Sequence, residues 1–469
     1  MSRAKVLPQY IAGLSAAFGA FCMGASMGWS SPVETKLTTD RDYNFDISGD
    51  QFGWISSLLT LGATLVCIPV GFVIDWVGRK PTMLGLIPPY MVGWILMIFA
   101  NNVIMLYFGR FILGVCGGAF CVCASMYSTE ISTLETRGLL GSFFQLNTVS
   151  GILYGYIVGG YCPLLTINIL CAILPIIFAV VHFFMPESPV YLAMKGRQDD
   201  ATKSLKWLRG QDFDVTPELN KILQDTTKSD DEPQQNIFKL LLRPITLKGI
   251  SIAVILQALQ QWTGINAIMF YSTSIFEDVG AGLSGRICTI LIGATQVIMT
   301  LVAALIVDKA GRRILLLISS FFMAVTTTLM GVYFQMKEND PASVTSIGWL
   351  PITSILVFIV FFSIGFGPVP WLIMAEVFTE DVKSVAGSIA GTSNWLSAFL
   401  VTLLFPILKN AIGSAPTFWI FAGIAVVAFV YCLLCVPETK GKSIHEIQLM
   451  LSGGKKSEEP IEAAPQTIS

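Results

Sequence analysis

Six uncharged amides stand inside long apolar stretches of this 469-residue chain: Gln145, Gln260, Gln261, Asn266, Gln296 and Asn394. An amide donates and accepts hydrogen bonds without carrying charge, so it can hold hydroxyl groups while making and breaking no covalent bond. One amide in such a place reads as glue between helices. Six, near the middle of their stretches, favour a polar cavity for a neutral, hydroxyl-rich solute. Trp371 follows Gly365-Phe366-Gly367-Pro368-Val369-Pro370, a run expected to break a helix, and its indole could lie on the apolar face of a sugar ring; packing in a bundle is the plainer alternative. Phe270 and Tyr271, about one turn beyond Asn266, are placed to close over a ligand. Covalent chemistry finds little support. His182 and His445 are far apart, most of the ten cysteines lie in apolar runs where a thiol acts as a small hydrophobe, and no phosphate-cradling loop occurs. No metal, cofactor or catalytic residue is expected.

Charge is concentrated in signatures that occur twice. Asp75-Trp76-Val77-Gly78-Arg79-Lys80 returns as Asp308-Lys309-Ala310-Gly311-Arg312-Arg313. Glu130 and Arg137 return at the same spacing as Glu376 and Lys383, and Pro186-Glu187-Ser188 returns as Pro437-Glu438-Thr439. Comparable offsets suggest that one membrane unit was duplicated, the organisation of proteins that move a small solute between two halves. Basic residues at a short turn are a topology signal. The acids beside them point to a latch as well, with Asp75, Arg79, Asp308 and Arg312 pairing when the halves meet. Glu130 with Arg137 and Glu376 with Lys383 would be ion pairs made in one conformer and broken in the other.

The elements that must carry these groups are membrane helices. Hydrophobic residues make up 54% and charged residues 13%, against a charged share of about 25% in soluble chains. The net charge of −2 gives no reason to expect nucleic acid. Crossing the hydrocarbon takes ~20 apolar residues. Such runs occur at 9–31, 52–74, 82–100, 104–130, 139–161 and 164–185, and again at 248–276, 287–307, 314–335, 350–375, 385–408 and 416–436. Runs this continuous fit helices, not the alternation of a barrel. The expected fold is therefore an all-α membrane protein of twelve spans: a six-helix half at 1–186, a helical linker at 187–247, a second half at 248–436 and a tail at 437–469, disordered from Gly453. Basic residues gather on one side, which makes both termini and the linker cytoplasmic.

GRFILGVCGG (109–118), PESPVYL (186–192), QQWTGINAIMFYS (260–272), GPVPWLIMAE (367–376), SNW (393–395) and PETKG (437–441) together resemble the sugar porters of the major facilitator superfamily along nearly the whole chain. With Gly28-Trp29-Ser30-Ser31-Pro32, the pattern is most similar to the facilitated trehalose transporters of insects. The resemblance implies a major facilitator fold, alternating access and a central sugar site. In it Gln145, Gln260, Gln261, Asn266, Gln296, Trp371 and Asn394 match sugar contacts, while Arg79, Glu130, Arg137, Arg312 and Glu376 match a cytoplasmic latch. Ser363 and Ala398 stand where glucose facilitators carry a glutamate and an asparagine, which leaves more room. Ser26 stands where proton-coupled relatives carry an aspartate, and no acid lies between Val6 and Val33. The expected function is trehalose uniport across the plasma membrane by a monomer in the bilayer. A hexose facilitator, a proton–sugar symporter and a transporter-like sugar sensor are the alternatives, and an enzyme is not expected.

Overall fold

The computed structural model describes residues 5–40, 42–133, 135–231, 237–280 and 284–452, so the tail expected to be disordered lies outside the described residues. Among the described residues every regular element is a helix or a 3-10 turn. The first apolar run folds as α1 (Leu7–Gly28) continuing into α2 (Ser30–Thr38), the second as α3 (Gly49–Val66) and α4 (Pro69–Val77), and the third as α5 (Arg79–Gly85) and α6 (Ile87–Ile98). Three long helices follow: α7 (Val103–Ile131), α8 (Arg137–Tyr161) and α9 (Leu164–Phe183). The polar middle holds α10 (Pro189–Met194), α11 (Gln198–Arg209), α12 (Thr216–Asp231) and α13 (Ile237–Leu241). Beyond it come α14 (Pro244–Trp262), α15 (Ile265–Val279), α16 (Gly285–Ala310) and α17 (Arg312–Asn339). The chain continues through α18 (Leu350–Ile364), α19 (Val369–Val377), α20 (Glu380–Ile412), α21 (Ser414–Leu434) and the short α22 (Ile444–Leu451).

Local chemistry sets the ends and breaks. Ser48 opens α3 with a capping box, its hydroxyl accepting from the Gln51 N–H while the Gln51 side chain accepts from the Ser48 N–H. Asn102 caps α7 by accepting from the Met105 N–H. Pro69 restarts the chain after Ile68, and α3 and α4 meet at 55°. Gly264, at φ +96°, separates α14 from α15 in a conformation that a side chain would strain. Only the break near residue 365 had been expected; those at 67–68, at Leu86 and at 263–264 are additional.

Among the described residues nine helices are long and apolar enough to cross a membrane, or ten if α3 and α4 form one span. The runs at α8 and α14–α15 fall short of that length or apolarity, and they hold Gln145 and the Gln260–Asn266 amides. Small residues let backbones touch. A Cβ on Gly24 of α1 would lie 2.0 Å from the Thr148 carbonyl oxygen of α8, and one on Gly151 2.2 Å from that of Phe21. Between α3 and α7, a Cβ on Gly114 would lie 1.9 Å from the Leu59 carbonyl oxygen. Lipid gives helices no hydrophobic reason to associate, so such close contact supplies the packing attraction.

The middle helices dock on what precedes them. Tyr191 donates to the Trp76 carbonyl (3.0 Å), Ser204 to that of Glu187 (2.6 Å) and Arg209 to that of Ile131 (2.8 Å). The Lys5 N–H closes the set on the Arg209 carbonyl (2.7 Å). Cys432 and Cys435, spaced as Cys-x-x-Cys, are free thiols.

Gly114→Ala is expected to destabilise the detergent-purified protein by at least about 1–3 kcal/mol, because the added methyl meets backbone. Gly71→Ala, where a Cβ meets nothing within 4 Å, should leave the melting temperature within a degree or two of the parent.

Candidate solute site and its charged ends

Four of the expected amides form one network. Gln260 on α14 donates to the carbonyls of Phe366 (2.6 Å) and Gly367 (2.8 Å), inside the break between α18 and α19. Gln261 donates to Gln260 Oε1 (3.2 Å) and Asn394 Oδ1 (3.1 Å), and Asn266 donates to Gln261 Oε1 (2.7 Å). Asn394 on α20 donates to Gln260 Oε1 (2.6 Å) and to Gln257 Oε1 (2.7 Å). From the other side the Phe366 N–H donates to Ser319 Oγ of α17 (3.1 Å), and a Cβ on Gly365 would lie 2.4 Å from Ser319 Cβ. The broken helix is thus fixed by α14 and α17 together.

Gln145 and Gln296 lie outside this network, on α8 and α16, which pack against each other. Gln145 is half-buried. Gln296 is buried with Oε1 lacking a partner among the described residues, as do Gln257 Nε2 and Ser363 Oγ. Trp371, in the first turn of α19 after the break, is 36% exposed. Sequence reasoning passed over Gln257, although it precedes Gln260 and Gln261 by three and four residues on one helix face.

It also passed over Arg110, a fully buried base on α7. Its Nε donates to the Ile55 carbonyl (3.1 Å), Nη1 to the Ser26 carbonyl (2.6 Å) and Nη2 to Ser30 Oγ (2.6 Å), with the Trp29 ring 4.9 Å from its Cζ. The position expected to carry an acid in proton-coupled relatives therefore meets this arginine with a backbone carbonyl. Ser26 Oγ pairs with the Tyr90 hydroxyl (2.8 Å).

Phe270 and Tyr271 are both buried, and Tyr271 leaves helical geometry within α15. Its ring lies 6.1 Å from that of Phe52 on α3 and 5.2 Å from that of Phe405 on α20, and its hydroxyl donates to the Thr402 carbonyl (3.0 Å). Nearby, Tyr156 donates to the Met269 carbonyl (2.6 Å), Ser31 pairs with Ser272 (2.8 Å) and Trp54 stands 6.3 Å from Phe399. The Phe52–Tyr271, Tyr156–Met269, Ser31–Ser272 and Trp54–Phe399 contacts join the helices before residue 186 to those after 244, all at the end away from the basic signatures.

At the basic end each set of helices is tied to itself. Arg79 grips Glu130 through Nε (2.9 Å) and Nη2 (2.7 Å) and pairs with Asp75 (3.3 Å). Ser188 also donates to Glu130, and Glu187 accepts from the Lys80 N–H (3.2 Å). The second copy repeats this: Arg312 grips Glu376 (2.8 Å), Thr439 donates to it, and Glu438 accepts from the N–H groups of Arg312 (2.9 Å) and Arg313 (3.1 Å). Burial pushes the Glu187 carboxyl above its ordinary value, against hydrogen bonds from the Ser188 and Lys80 backbone. Burial also raises Glu438, but backbone donors from Lys440, Arg312 and Arg313 outweigh it and hold that carboxyl low.

Two expectations need correction. The partners of Glu130 and Glu376 are Arg79 and Arg312, not the bases seven residues on. Arg137 is exposed at the start of α8, and Lys383 lies in the first turn of α20. Nor do Asp75 and Arg79 wait for a facing half; among the described residues these pairs close within one set of helices. The Asp308 side chain lies outside the described residues.

Comparison with known proteins agrees with this architecture. The family model described as "Sugar (and other) transporter" matches residues 12–451. A Drosophila simulans protein named "Facilitated trehalose transporter Tret1-2 homolog" is 35% identical over 445 residues, 95% of this chain and 91% of its own. A Bombyx mori protein named "Facilitated trehalose transporter Tret1" is 35% identical over 460 residues, 98% of this chain and 90% of its own. Other relatives are longer, and the chain spans about half of their length. Among solved structures, the inward open conformation of the xylose transporter XylE from E. coli superposes with a TM-score of 0.77 at 21% identity, over 94% of this chain and 99% of that one. A duplicated set of charged helix ends, amides around a broken helix and a family match over nearly the whole length converge: the chain belongs to the sugar transporter family, a multi-pass membrane transporter of the major facilitator fold and not an enzyme.

Proposed function

We propose that this chain is a uniporter that carries trehalose across the plasma membrane by alternating access. Its relatives' printed names supply the sugar. The observation that carries uniport over proton symport is Arg110, whose donors end on two carbonyls and a hydroxyl. A symporter needs a group there that gains and loses a proton, and α1 offers none. Ser363 and Ala398, both small, stand where the resemblance puts a glutamate and an asparagine in glucose facilitators, which favours a larger sugar.

In this reading residues 1–186 and 248–436 are six-helix halves of a twelve-span protein, 187–247 is a cytoplasmic linker and 437–469 a cytoplasmic tail. The basic end faces the cytoplasm by the positive-inside bias. The structure is then closed at the outer end, with Phe270 and Tyr271 at the closure. Gln145, Gln260, Gln261, Asn266, Gln296, Trp371 and Asn394 surround the sugar, and Gln257 joins them. Gln260, Gln261, Asn266 and Asn394, bonded to one another when the site is empty, can exchange those bonds for sugar hydroxyls at little net cost, which suits a carrier that must release as well as bind. The pairs Arg79–Glu130 and Arg312–Glu376 brace the inner helix ends of each half. The transporter functions as a monomer.

Uptake of labelled trehalose and glucose into oocytes, with and without a protonophore, tests this reading. Trehalose entry that halts at equal concentrations and ignores the protonophore is expected. Glucose entry alone would replace the substrate, and uphill, protonophore-sensitive entry would replace the mechanism. Arg79→Ala should cost about 3–5 kcal/mol by stranding a buried carboxylate. Arg312→Ala should cost less, since Glu376 is 27% exposed and Glu130 only 12%. Melting temperatures of the purified variants check that order.

A further inference from the structure

With 22 residues, α1 is about 33 Å long and by itself covers the ~30 Å hydrocarbon core. The polar α2, with Ser30, Ser31, Glu34, Thr35 and Lys36, therefore lies at the mouth of the molecule. Ser31 anchors it across the closure, pairing with Ser272 (2.8 Å) and Thr273 Oγ1 (2.9 Å) and accepting from the Thr273 N–H (3.0 Å). Three residues on, the same helix carries Glu34 onto the same α15 surface.

The Glu34 carboxylate lies against Ser274, and its Oε2 is sealed from solvent without a partner among the described residues. The charged and titratable groups that face it are Lys409 of α20 with Glu277, Asp278 and Tyr271 of α15. Lys409, the one cation among them, is already paired with Asp278, while Arg286 and Asp40 face Glu277. Closure thus takes a carboxylate from the first set of helices into a place with two further acids, where Lys409, the cation that faces it, is already shared with Asp278. A buried carboxylate without a full set of partners is unfavourable, and protonation removes the charge.

We propose that Glu34 is a positioning residue of the transport cycle, ionised while the outer end is open and protonated from outside as that end closes over it. The sign follows from burial: closing takes up a proton, so a lower external pH favours the outer-closed state. The proton enters and leaves on one side, so none crosses the membrane and transport remains uniport. External sugar binds only the outer-open state, so its apparent affinity falls with that state's population. The inference rests on the orientation proposed above.

The test is zero-trans entry into proteoliposomes, using whichever sugar the chain is found to carry, with external pH varied and internal pH fixed, then the reverse. In the parent, the external KM should rise about threefold as the outside is acidified from pH 7.5 to 5.5, and Glu277→Gln, which removes a facing acid, should move that rise to lower pH. Glu34→Gln should show the raised KM at every pH. Ser274→Ala, which removes the hydroxyl facing the ionised form, should move the rise to higher pH. A parent KM indifferent to external pH, or a Glu34→Gln variant that keeps the parental dependence, would overturn the inference. So would a parental pH profile in Ser274→Ala. A KM that follows internal pH and loses that dependence in Glu34→Gln would instead overturn the orientation while upholding the residue's role.

Discussion

Lipid offers a peptide group no hydrogen-bond partner, so every break in a membrane helix must be closed from within the protein. Much of this structure follows from that requirement. The Gly- and Pro-rich segment after α18 frees the carbonyls of Phe366 and Gly367, and Gln260 closes them. Ser319 does the same for the Phe366 N–H. Gln260 then has its own carbonyl oxygen to share, and Gln261 and Asn394 take it up. The two readings of buried amides, glue and cavity, are therefore compatible. Glue at one end of an amide leaves the other end held in place with polar capacity to offer.

The duplication is close at the basic end and lost in the middle. Arg79, Glu130, Glu187 and Ser188 repeat as Arg312, Glu376, Glu438 and Thr439 in their main contacts: arginine on glutamate, hydroxyl on the same glutamate, and the second glutamate on the N–H of Lys80 or Arg313. Burial raises both carboxyls, but it prevails at Glu187 and is outweighed at Glu438 by backbone donors from Lys440, Arg312 and Arg313. In the middle, α1 and α8 meet glycine against backbone, whereas α14 and α20 meet amide against amide. The first pairing leaves no room for a ligand along its seam. The second carries breakable polar bonds, so the helices after residue 244 suit solute recognition and those before 186 suit a rigid wall.

Hydropathy made the helical runs legible because a membrane helix needs an unbroken apolar length. The breaks at 67–68, Leu86 and 263–264 were harder to see. Pro69, Pro88 and Gly264 are visible, but the apolar run continues through each, and a hydropathy average is blind to backbone direction. Ion-pair partners were misread for a related reason. Arg79 meets Glu130 across 51 positions, while the sequence shows only the nearer Arg137, which the fold turns outward. Arg110 was hidden by the apolar residues around it, although a lone base in such a stretch is itself a signal.

The central claim is that the broken helix and the amide that closes it form the sugar site. Sugar-induced thermal stabilisation of the purified protein tests it most directly, because that shift reports binding whatever the variant's own stability. At a trehalose concentration near a hundred times Kd the parent should gain about 2.7 kcal/mol, and Gln260→Ala should gain little or nothing. An undiminished gain in Gln260→Ala would place the sugar elsewhere and contradict the account.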